Sequence, residues 1–562
     1  MTSAEDAAAT LTAPAPARTG TTGAGRRGLV AFLLVAAVAV AFGNALENGF
    51  VYDDGLLVVD NPVVRAPLTD LDALGFYRPL RTLSYRLDYA LGGLDPRVFH
   101  GANLVYHALT VLLVRAVLAR IGISPWAATA GALVFAVHPV QTDAVTYVAG
   151  RRDILCGLFF VAGFLFYLRY RETRRRRELA AALMSYILAI LAKEMAITLP
   201  IVCLLFDRVS MARATPATGR YRLFAILAAA GGVVAWTFYG RFVERVMAVT
   251  PWHGGTPGTN LATVLRVWAH YLWLILWPAR LSADYSYRAF PVSTSVLDPR
   301  AGVAAAVLGG LAVLTWWRWR RGDVAAFGAT WWAATLLPVS HIVPYRELLA
   351  EHYLYVPMMG VACVVAAATD AAVARTSAPR VVAAVVTVAV LAATTRTIVR
   401  NRDWHDELSL WSATVATAPE CARARFNLGQ TYVQQMRFAE AEREWLAAAT
   451  LTPDDLDTVL ALAMLYYRQG RFAEAEQWVG VALERRSDDV RVANLAGWIA
   501  LDGGDAARAL SRFDGALAHA ADVVEGGGRH ARARAAAVDG ARLGRAQATA
   551  ALAAASGGGV RP

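Results

Sequence analysis

Long apolar runs separated by short charged segments dominate the chain up to about residue 400. A helix of about 20 apolar residues crosses a hydrocarbon core about 30 Å thick. This pattern predicts membrane-spanning helices near residues 29–46, 102–119, 124–141, 153–170, 222–240, 301–317, 324–338, 353–370 and 380–397.

Two further segments need separate interpretation. The apolar stretch 179–206 is interrupted by Lys193 and Glu194 and has basic residues on both sides, so it is predicted to form two short helices that return to the same face. The Trp- and Leu-rich segment 262–277 is predicted to lie in the interface. The total is eleven crossings, with the N-terminus in the cytoplasm and the C-terminus outside.

This topology places four loops on the outer face, and they hold most of the unusual polar residues. We expect a site there, because unrelated spans would scatter such residues over both faces. The four loops comprise residues 47–101, 142–152, 241–300 and 339–352.

From about residue 401 the pattern changes to a repeat with a period of 34. Small residues and aromatic residues recur at fixed offsets in three copies, the first of which carries Leu428, Gly429 and Trp445. This spacing is typical of tetratricopeptide repeats, whose paired helices touch at small residues. The predicted fold class is therefore all-α, a polytopic transmembrane bundle followed by an α-solenoid. The predicted regions are a disordered tail at 1–27, a membrane domain at 28–400, repeats at 401–522 and a flexible tail at 523–562.

Composition supports an integral membrane protein. The chain is 57% hydrophobic and 18% charged, against about 25% charged residues in soluble proteins. Its net charge of +11 comes from arginine runs between the spans, which is the positive-inside pattern and argues against a nucleic-acid partner. Four scattered cysteines give no zinc or disulfide spacing. The scarcity of lysine suggests a GC-rich bacterial genome and hence a plasma (inner) membrane, with the repeats outside.

Asp53 and Asp54 follow the first span and are the leading candidates for a general base and its positioning partner. A turn is the alternative, because Asp-Gly favours turns. Lys193, the only lysine, is predicted either to contact a phosphate or carboxylate at the site or to form a neutralising pair with Glu194.

Other polar residues are candidates for binding or support. Arginines on the predicted outer face are able to bind a lipid phosphate, although snorkelling is the ordinary behaviour of such residues. This group comprises Arg78, Arg81, Arg151, Arg152 and Arg346, with Asp153 able to orient one of them. A polar stripe on one helix is interpreted as a helix-to-helix contact, with metal or substrate contact as the alternative. The stripe is formed by His100, Asn103 and His107; His138 is expected to cap its span, and Asp143 to support the site.

Taken together, several segments resemble the transmembrane and tetratricopeptide-repeat O-mannosyltransferases. The resemblance spans about residues 28–520 in the same order. Its motifs are Phe50–Asp54, Phe99–His107, His138–Ala144, Gly150–Ile154, Ala192–Glu194, Leu281–Ser286 and Glu351–Pro357.

The resemblance implies a GT-C glycosyltransferase that takes a sugar from a polyprenyl-phosphate carrier and inverts its anomeric centre. It assigns the catalytic base to Asp53 and Asp54, and it places Glu351 and His352 at the substrate site. The family usually has arginine where this chain has His352, so Arg346 is an alternative phosphate ligand. No cofactor beyond the lipid-linked sugar is implied, and the metal requirement is open.

The sequence thus predicts a membrane enzyme that transfers a sugar, with mannose expected, to Ser or Thr of a protein held by the repeats. Rival interpretations are a transferase acting on lipids or glycans, a non-catalytic scaffold and a transporter. The scaffold leaves the acidic pair and Lys193 without a use, and the transporter predicts a second broken hairpin.

Overall fold

The computed structural model describes residues 22–70, 72–74, 77–211, 229, 231–233, 251–286, 288–345, 347–519 and 529–557. Three of the predictions lie outside these residues: the tail up to residue 21, nearly all of the span 222–240, and Arg346. Every regular element in the described part of the chain is helical, as the hydropathy pattern predicts.

The part of the chain that ends at Arg402 forms a helical bundle. Six of the described helices are long and apolar enough to cross a membrane, and two shorter helices are also apolar. The bundle helices are α1 (Thr22–Phe42), α2 (Pro79–Gly92), α3 (Pro96–Arg120), α4 (Pro125–Val137), α5 (Thr142–Val145), α6 (Arg151–Thr173), α7 (Arg176–Ala192), α8 (Leu199–Met211), α9 (Pro257–Leu276), α10 (Pro299–Trp319), α11 (Val324–Leu336), α12 (Pro357–Arg375) and α13 (Pro379–Arg402).

The described helices do not supply eleven full-length spans, because several apolar segments break before they are long enough. α4 ends at Val137, where Pro139 begins a short 3-10 turn. Residues 137–151 are nevertheless buried, so this stretch is packed inside the bundle. The predicted span 124–141 is therefore a short helix followed by a buried irregular segment.

The predicted break at Lys193 is present. α7 ends at Ala192, Lys193 adopts an extended conformation with φ −159° and ψ 143°, and a 3-10 turn leads into α8. The polar pair thus interrupts the helix at the predicted point, and the two halves remain short, at 17 and 13 residues.

The predicted interfacial segment forms α9, and both of its ends contact the same end of the bundle. Near its start, the Asn260 amide donates to the His341 carbonyl over 2.8 Å. At its end, the Ile275 carbonyl lies 2.9 Å from Nε2 of His138. His341 and His138 follow the C-termini of α11 and α4, so α9 lies across those helix ends instead of running between them.

The repeats follow the predicted period closely, because equivalent helices begin at Ala422, Leu456 and Val490. A Cβ on Gly429 would lie 2.3 Å from the Trp445 indole, which explains the small residue at the predicted helix contact. The array consists of the helix pairs α15 (Ala422–Gln434) and α16 (Phe438–Leu451), α17 (Leu456–Arg468) and α18 (Phe472–Arg485), and α19 (Val490–Asp502) and α20 (Ala506–Ala518), after the helix α14 (Glu407–Thr417).

The segment beyond the repeats departs from the prediction of a flexible tail. Residues Arg529–Gly557 form a helix, α21, that packs on the third repeat. Ala541 and Ala548 are fully buried against Phe513, and Gly544 lies directly over the Phe513 ring. An Ala/Gly-rich sequence suits this close approach, so the composition that suggests flexibility here serves helix packing.

Candidate active site

The predicted outer loops meet at one partly open cavity. Its walls come from the loop after α1, the α4–α6 connection, the segment after α9, the segment before α12 and the first repeat helix. The charged residues that line it are Asp53, Asp143, Arg152, Asp284, Glu347, His352 and Arg423. Distant parts of the sequence are therefore gathered at one end of the bundle.

The acidic pair is divided between two roles. Asp53 is partly exposed and lines the cavity. Asp54 is fully buried, and its carboxylate accepts the N–H groups of Val51 over 3.2 Å and Ala149 over 2.8 Å. The expectation that either aspartate can act as base is therefore corrected: Asp54 ties two loops together and does not reach the cavity.

The protonation of Asp53 depends on charges around it. Burial raises the pKa of Asp53 above its ordinary value, the Arg152 charge lowers it, and the Glu347 charge raises it again. A carboxylate with a raised pKa is a better proton acceptor than an exposed one, provided that it is still ionised at the working pH.

The loop that carries Asp53 is held by the start of the repeat region. The Gly49 N–H donates to the His405 carbonyl over 2.9 Å, and the Tyr52 N–H donates to Glu407 over 2.7 Å. Tyr52 itself has a positive φ of 56°, a strained conformation for a non-glycine residue. Its ring packs edge-on against Trp411 with centroids 5.1 Å apart. These contacts fix the position of the neighbouring Asp53.

A second wall of the cavity is formed by a linked row of polar groups. Nη2 of Arg152 lies 3.3 Å from Nε2 of His352, and Nδ1 of His352 lies 2.8 Å from Asp143. Because the guanidinium can only donate, Nε2 is the acceptor and Nδ1 carries the proton toward Asp143. Burial favours the protonated acid of Asp143, but the His352 contact and the Arg152 charge outweigh it and hold the pKa of Asp143 low.

Two more cationic side chains, Lys193 and Arg78, lie near Arg152. The Lys193 ammonium pairs with Asp153 over 2.5 Å, and Asp153 also contacts Arg152 at 3.4 Å. Glu194 pairs instead with Arg78 over 2.8 Å. The alternative of a Lys193–Glu194 pair is therefore wrong, because the extended backbone at Lys193 turns the two side chains toward different partners.

Arg81 completes this cationic cluster, which we define as Arg78, Arg81, Arg152 and Lys193. Arg81 is 5% exposed, and no acidic side chain in the described part of the chain lies within ion-pairing distance of it. Burial lowers the pKa of Arg81, and the nearby charges of Arg78 and Arg152 lower it further. Asp153 pairs with Arg152 and Lys193, and Glu194 pairs with Arg78. The cluster thus brings four cations together beside the cavity, and Arg152 is the member that lines it.

Arg151 does not join the cluster, contrary to its grouping with the possible phosphate ligands. It is fully buried, forms an ion pair with Asp88 and donates to the Phe99 carbonyl over 2.6 Å. Its Nε donates to Asn103 over 2.7 Å. Consecutive residues at the start of a helix point in different directions, so Arg151 and Arg152 serve different surroundings.

The polar stripe on α3 connects helices and does not line the cavity. His107 lies 2.8 Å from the Tyr355 hydroxyl and 3.0 Å from the Ala136 carbonyl, and Asn103 donates to two carbonyls of the α5–α6 connection. His100 lies 3.4 Å from the Gly49 carbonyl. The structure thus favours the helix-to-helix interpretation of the stripe.

Two other expected site residues lie behind the cavity wall. Glu351 is fully buried and accepts from the Ser282 N–H over 2.6 Å and from the Tyr285 hydroxyl over 2.7 Å. Its assignment to substrate contact is corrected, since both hydrogen bonds tie the α9–α10 connection to the segment before α12. His138 follows the last residue of α4, but its side chain accepts the Val140 N–H and so caps the start of the next 3-10 turn, not the end of α4 as expected.

Three charged residues of the cavity wall are not predicted from the sequence as individual candidates: Glu347, Asp284 and Arg423. Asp284 forms a bidentate pair with Arg423 of the first repeat helix. One of them, Asp284, lies within the motif Leu281–Ser286. Among the described residues there is no group of three or more His, Cys, Asp or Glu arranged to hold a metal ion.

These features define a class of protein: a membrane-embedded helical domain with a charged cavity at one end, closed on one side by tetratricopeptide repeats. Comparison with known families narrows the class. The model described as "Protein O-mannosyl-transferase TMTC, DUF1736" matches residues 254–312, and a tetratricopeptide-repeat model matches residues 446–499. The first match covers α9, most of α10 and the connection between them, which holds Asp284.

The chain resembles the TMTC proteins, as its motifs predict. It is 26% identical to mouse protein O-mannosyl-transferase TMTC3 over 74% of this chain and 50% of that protein. It is 28% identical to human TMTC4 over 71% of this chain and 63% of that protein. It is 32% identical to fruit-fly Tmtc2 over 49% of this chain and 32% of that protein.

The chain therefore spans about half the length of mouse TMTC3. Among solved structures, yeast Tom70 is similar at 13% identity over 72% of this chain and 81% of that one, with a TM-score of 0.21. This score is too low to support an argument about the fold.

Proposed function

We propose that this protein transfers mannose from a polyprenyl-phosphate carrier to Ser or Thr hydroxyls of a protein acceptor, with Asp53 as the base. The observation that carries the proposal is the shared cavity of Asp53 and Arg152. A carboxylate and a guanidinium in the same cavity suit the two charges that such a transfer moves. The names of the relatives, protein O-mannosyl-transferases, support the same activity.

Asp53 and Arg152 have different tasks in this reaction. The acceptor oxygen forms a bond to the anomeric carbon while Asp53 takes its proton. The bond from that carbon to the phosphate oxygen breaks, and its electron pair stays on the phosphate. A single displacement inverts the anomeric centre. The growing phosphate charge is stabilised by Arg152, with the other members of the cationic cluster near it.

The lipid part of the donor needs a surface at the headgroup level. The C-terminal end of α9 exposes Trp273, Leu276 and Trp277 by 56%, 77% and 61%. Amphipathic rings of this kind favour the membrane interface. This end of α9 therefore supports an approach of the carrier from the side of the bundle, on the outer face of the membrane.

The test uses the full chain, purified in lipid nanodiscs, with radiolabelled polyprenyl-phosphate mannose or glucose and a Ser/Thr-containing peptide. We expect the mannose label to move to the peptide. Label that moves instead to a lipid or free glycan would favour the second transferase class, and a chain that moves neither label would contradict the proposal. Arg423, which comes from the repeat array, favours a polypeptide acceptor over these alternatives.

A further inference from the structure

The repeat array contributes a side chain directly to the cavity wall. Arg423 is the second residue of α15, the first helix of the first repeat. It lines the same cavity as Asp53, which belongs to the loop after α1 near the other end of the chain. The array is therefore part of the site as well as an attached module.

Arg423 is held in a fixed orientation. Its Nη2 donates to Oδ1 of Asp284 over 2.9 Å, and its Nε donates to Oδ2 of the same carboxylate. Asp284 is 2% exposed at its side chain, whereas Arg423 keeps 27% exposure. A bidentate pair fixes the plane of the guanidinium, so the arginine meets a ligand already oriented.

One donor nitrogen of Arg423 is left over. In the part of the chain that the structure describes, Nη1 has no hydrogen-bond partner, while Nε and Nη2 are both occupied. Because Asp284 already neutralises the guanidinium, the remaining N–H groups suit a neutral acceptor better than a second carboxylate. A main-chain carbonyl is such a group, and every residue of a polypeptide offers one.

We propose that Arg423 binds a main-chain carbonyl of the acceptor polypeptide next to the reactive hydroxyl, and so selects polypeptides as acceptors. This inference rests on the proposed function and adds a residue to it. Arg423 would hold the peptide at the edge of the cavity while Asp53 takes the hydroxyl proton. A lipid or glycan acceptor that has no amide group beside its hydroxyl would lose this contact.

The repeats offer positions equivalent to that of Arg423. Asp457 and Arg491 occupy this position in the second and third repeats, as the second residues of α17 and α19. Arg491 and Asp457 pair with each other over 2.8 Å. Of this row of three equivalent residues, Arg423 lines the cavity and the other two do not.

The row also provides a matched control. Arg491→Met removes an arginine from the same repeat position, but at a distance from the cavity. The experiment compares Arg423→Met, Arg423→Lys, Asp284→Asn and Arg491→Met in the full chain, using a short Ser/Thr peptide and polyprenyl-phosphate mannose. For each variant, KM is measured for both substrates, together with thermal unfolding in detergent.

We expect Arg423→Met to raise the KM for peptide by about tenfold or more, the loss typical of a hydrogen bond to a charged donor, with the donor KM unchanged. Arg423→Lys and Asp284→Asn should give smaller increases, because the first keeps a charge and the second leaves the arginine unfixed. Arg491→Met should leave both KM values for the short peptide at the wild-type level.

An unchanged peptide KM in Arg423→Met would overturn the inference. So would an equal rise in both KM values accompanied by lower thermal stability, which indicates a purely structural pair. If Arg423→Met fails to insert into the membrane, Arg423→Lys and Asp284→Asn test the same inference through the ratio of the KM for peptide to the KM for the donor. Failure of the proposed function looks different: the wild-type chain itself would then transfer no mannose to peptide, and the inference would fall with it.

Discussion

Arg151 and Arg152 are neighbours in the chain, yet the regions around them differ in every respect that bears on function. Around Arg151, burial is complete and three protein groups, Asp88, Asn103 and the Phe99 carbonyl, accept its hydrogen bonds. Around Arg152, the side chain keeps 13% exposure, pairs with Asp153 and lines a cavity beside further cations. The comparison teaches that a charge enclosed by protein partners serves the fold, whereas a charge that lines a cavity is available to a ligand.

The largest expected effect separates the two arginines by stability. Arg151→Met leaves Asp88 as a buried carboxylate without its partner, which costs about 3–5 kcal/mol. Thermal unfolding in detergent should show a marked loss of stability. If Arg151→Met unfolds at the same temperature as the wild-type protein, the structural role of the Arg151 region is contradicted.

Arg152→Met should leave unfolding close to the wild-type level and reduce kcat instead. Loss of one group that stabilises developing charge costs about 10²–10³ in rate. Single-turnover transfer from polyprenyl-phosphate mannose measures it. If the variant turns over normally, the phosphate charge is stabilised elsewhere and the contrast between the two arginines disappears.

Arg81→Met tests the charge of the cationic cluster without touching the cavity lining. Because this cation has no acidic partner among the described residues, its loss should cost little stability. We expect the KM for the lipid-linked donor to rise several-fold, since a positive charge near the anion site is removed although Arg81 itself does not line the cavity. An unchanged donor KM, measured at the same ionic strength, would show that Arg81 does not contribute to the anion site.

The smallest expected effect is a shift of the pH profile. Transfer requires ionised Asp53, so kcat/KM should fall as pH falls through the pKa of this carboxyl, which burial raises above its ordinary value. Glu347→Gln removes a negative charge and should move this acid limb to lower pH. Arg152→Gln removes a positive charge and should move it to higher pH. Shifts in the same direction would show that another group titrates.

The sequence predicts the fold well where a single segment carries the signal. The repeat period places every repeat helix, and the polar pair at Lys193 marks the break between α7 and α8. Pairings across the bundle are different, because Asp153 lies on α6, well before Lys193 in the chain, and nothing in the local pattern connects them. The alternative in which Glu194 is the partner followed from adjacency, whereas side chains of consecutive residues rarely share a face.

The same limit explains the site. Asp53 follows from its position after the first span, but its separation from Asp54 depends on the Ala149 N–H, which arrives from another loop. Arg423 lies in a repeat whose pattern is defined by apolar positions, so its polar side chain carries no signal until the array is placed against the Asp53 loop. Span counting fails at α4 for a related reason, since a buried irregular segment is as apolar as a helix.

The central claim is that Asp53 removes the acceptor proton, and chemical rescue tests it most directly. Asp53→Ala should lose transfer while the chain still folds, and added formate or acetate should restore part of the rate, because a small carboxylate in the cavity can take the proton. The matching variant Asp54→Ala should not be rescued, since its carboxylate binds two backbone N–H groups away from the cavity. The account predicts rescue that grows with carboxylate concentration; full activity of Asp53→Ala without any added carboxylate would contradict it.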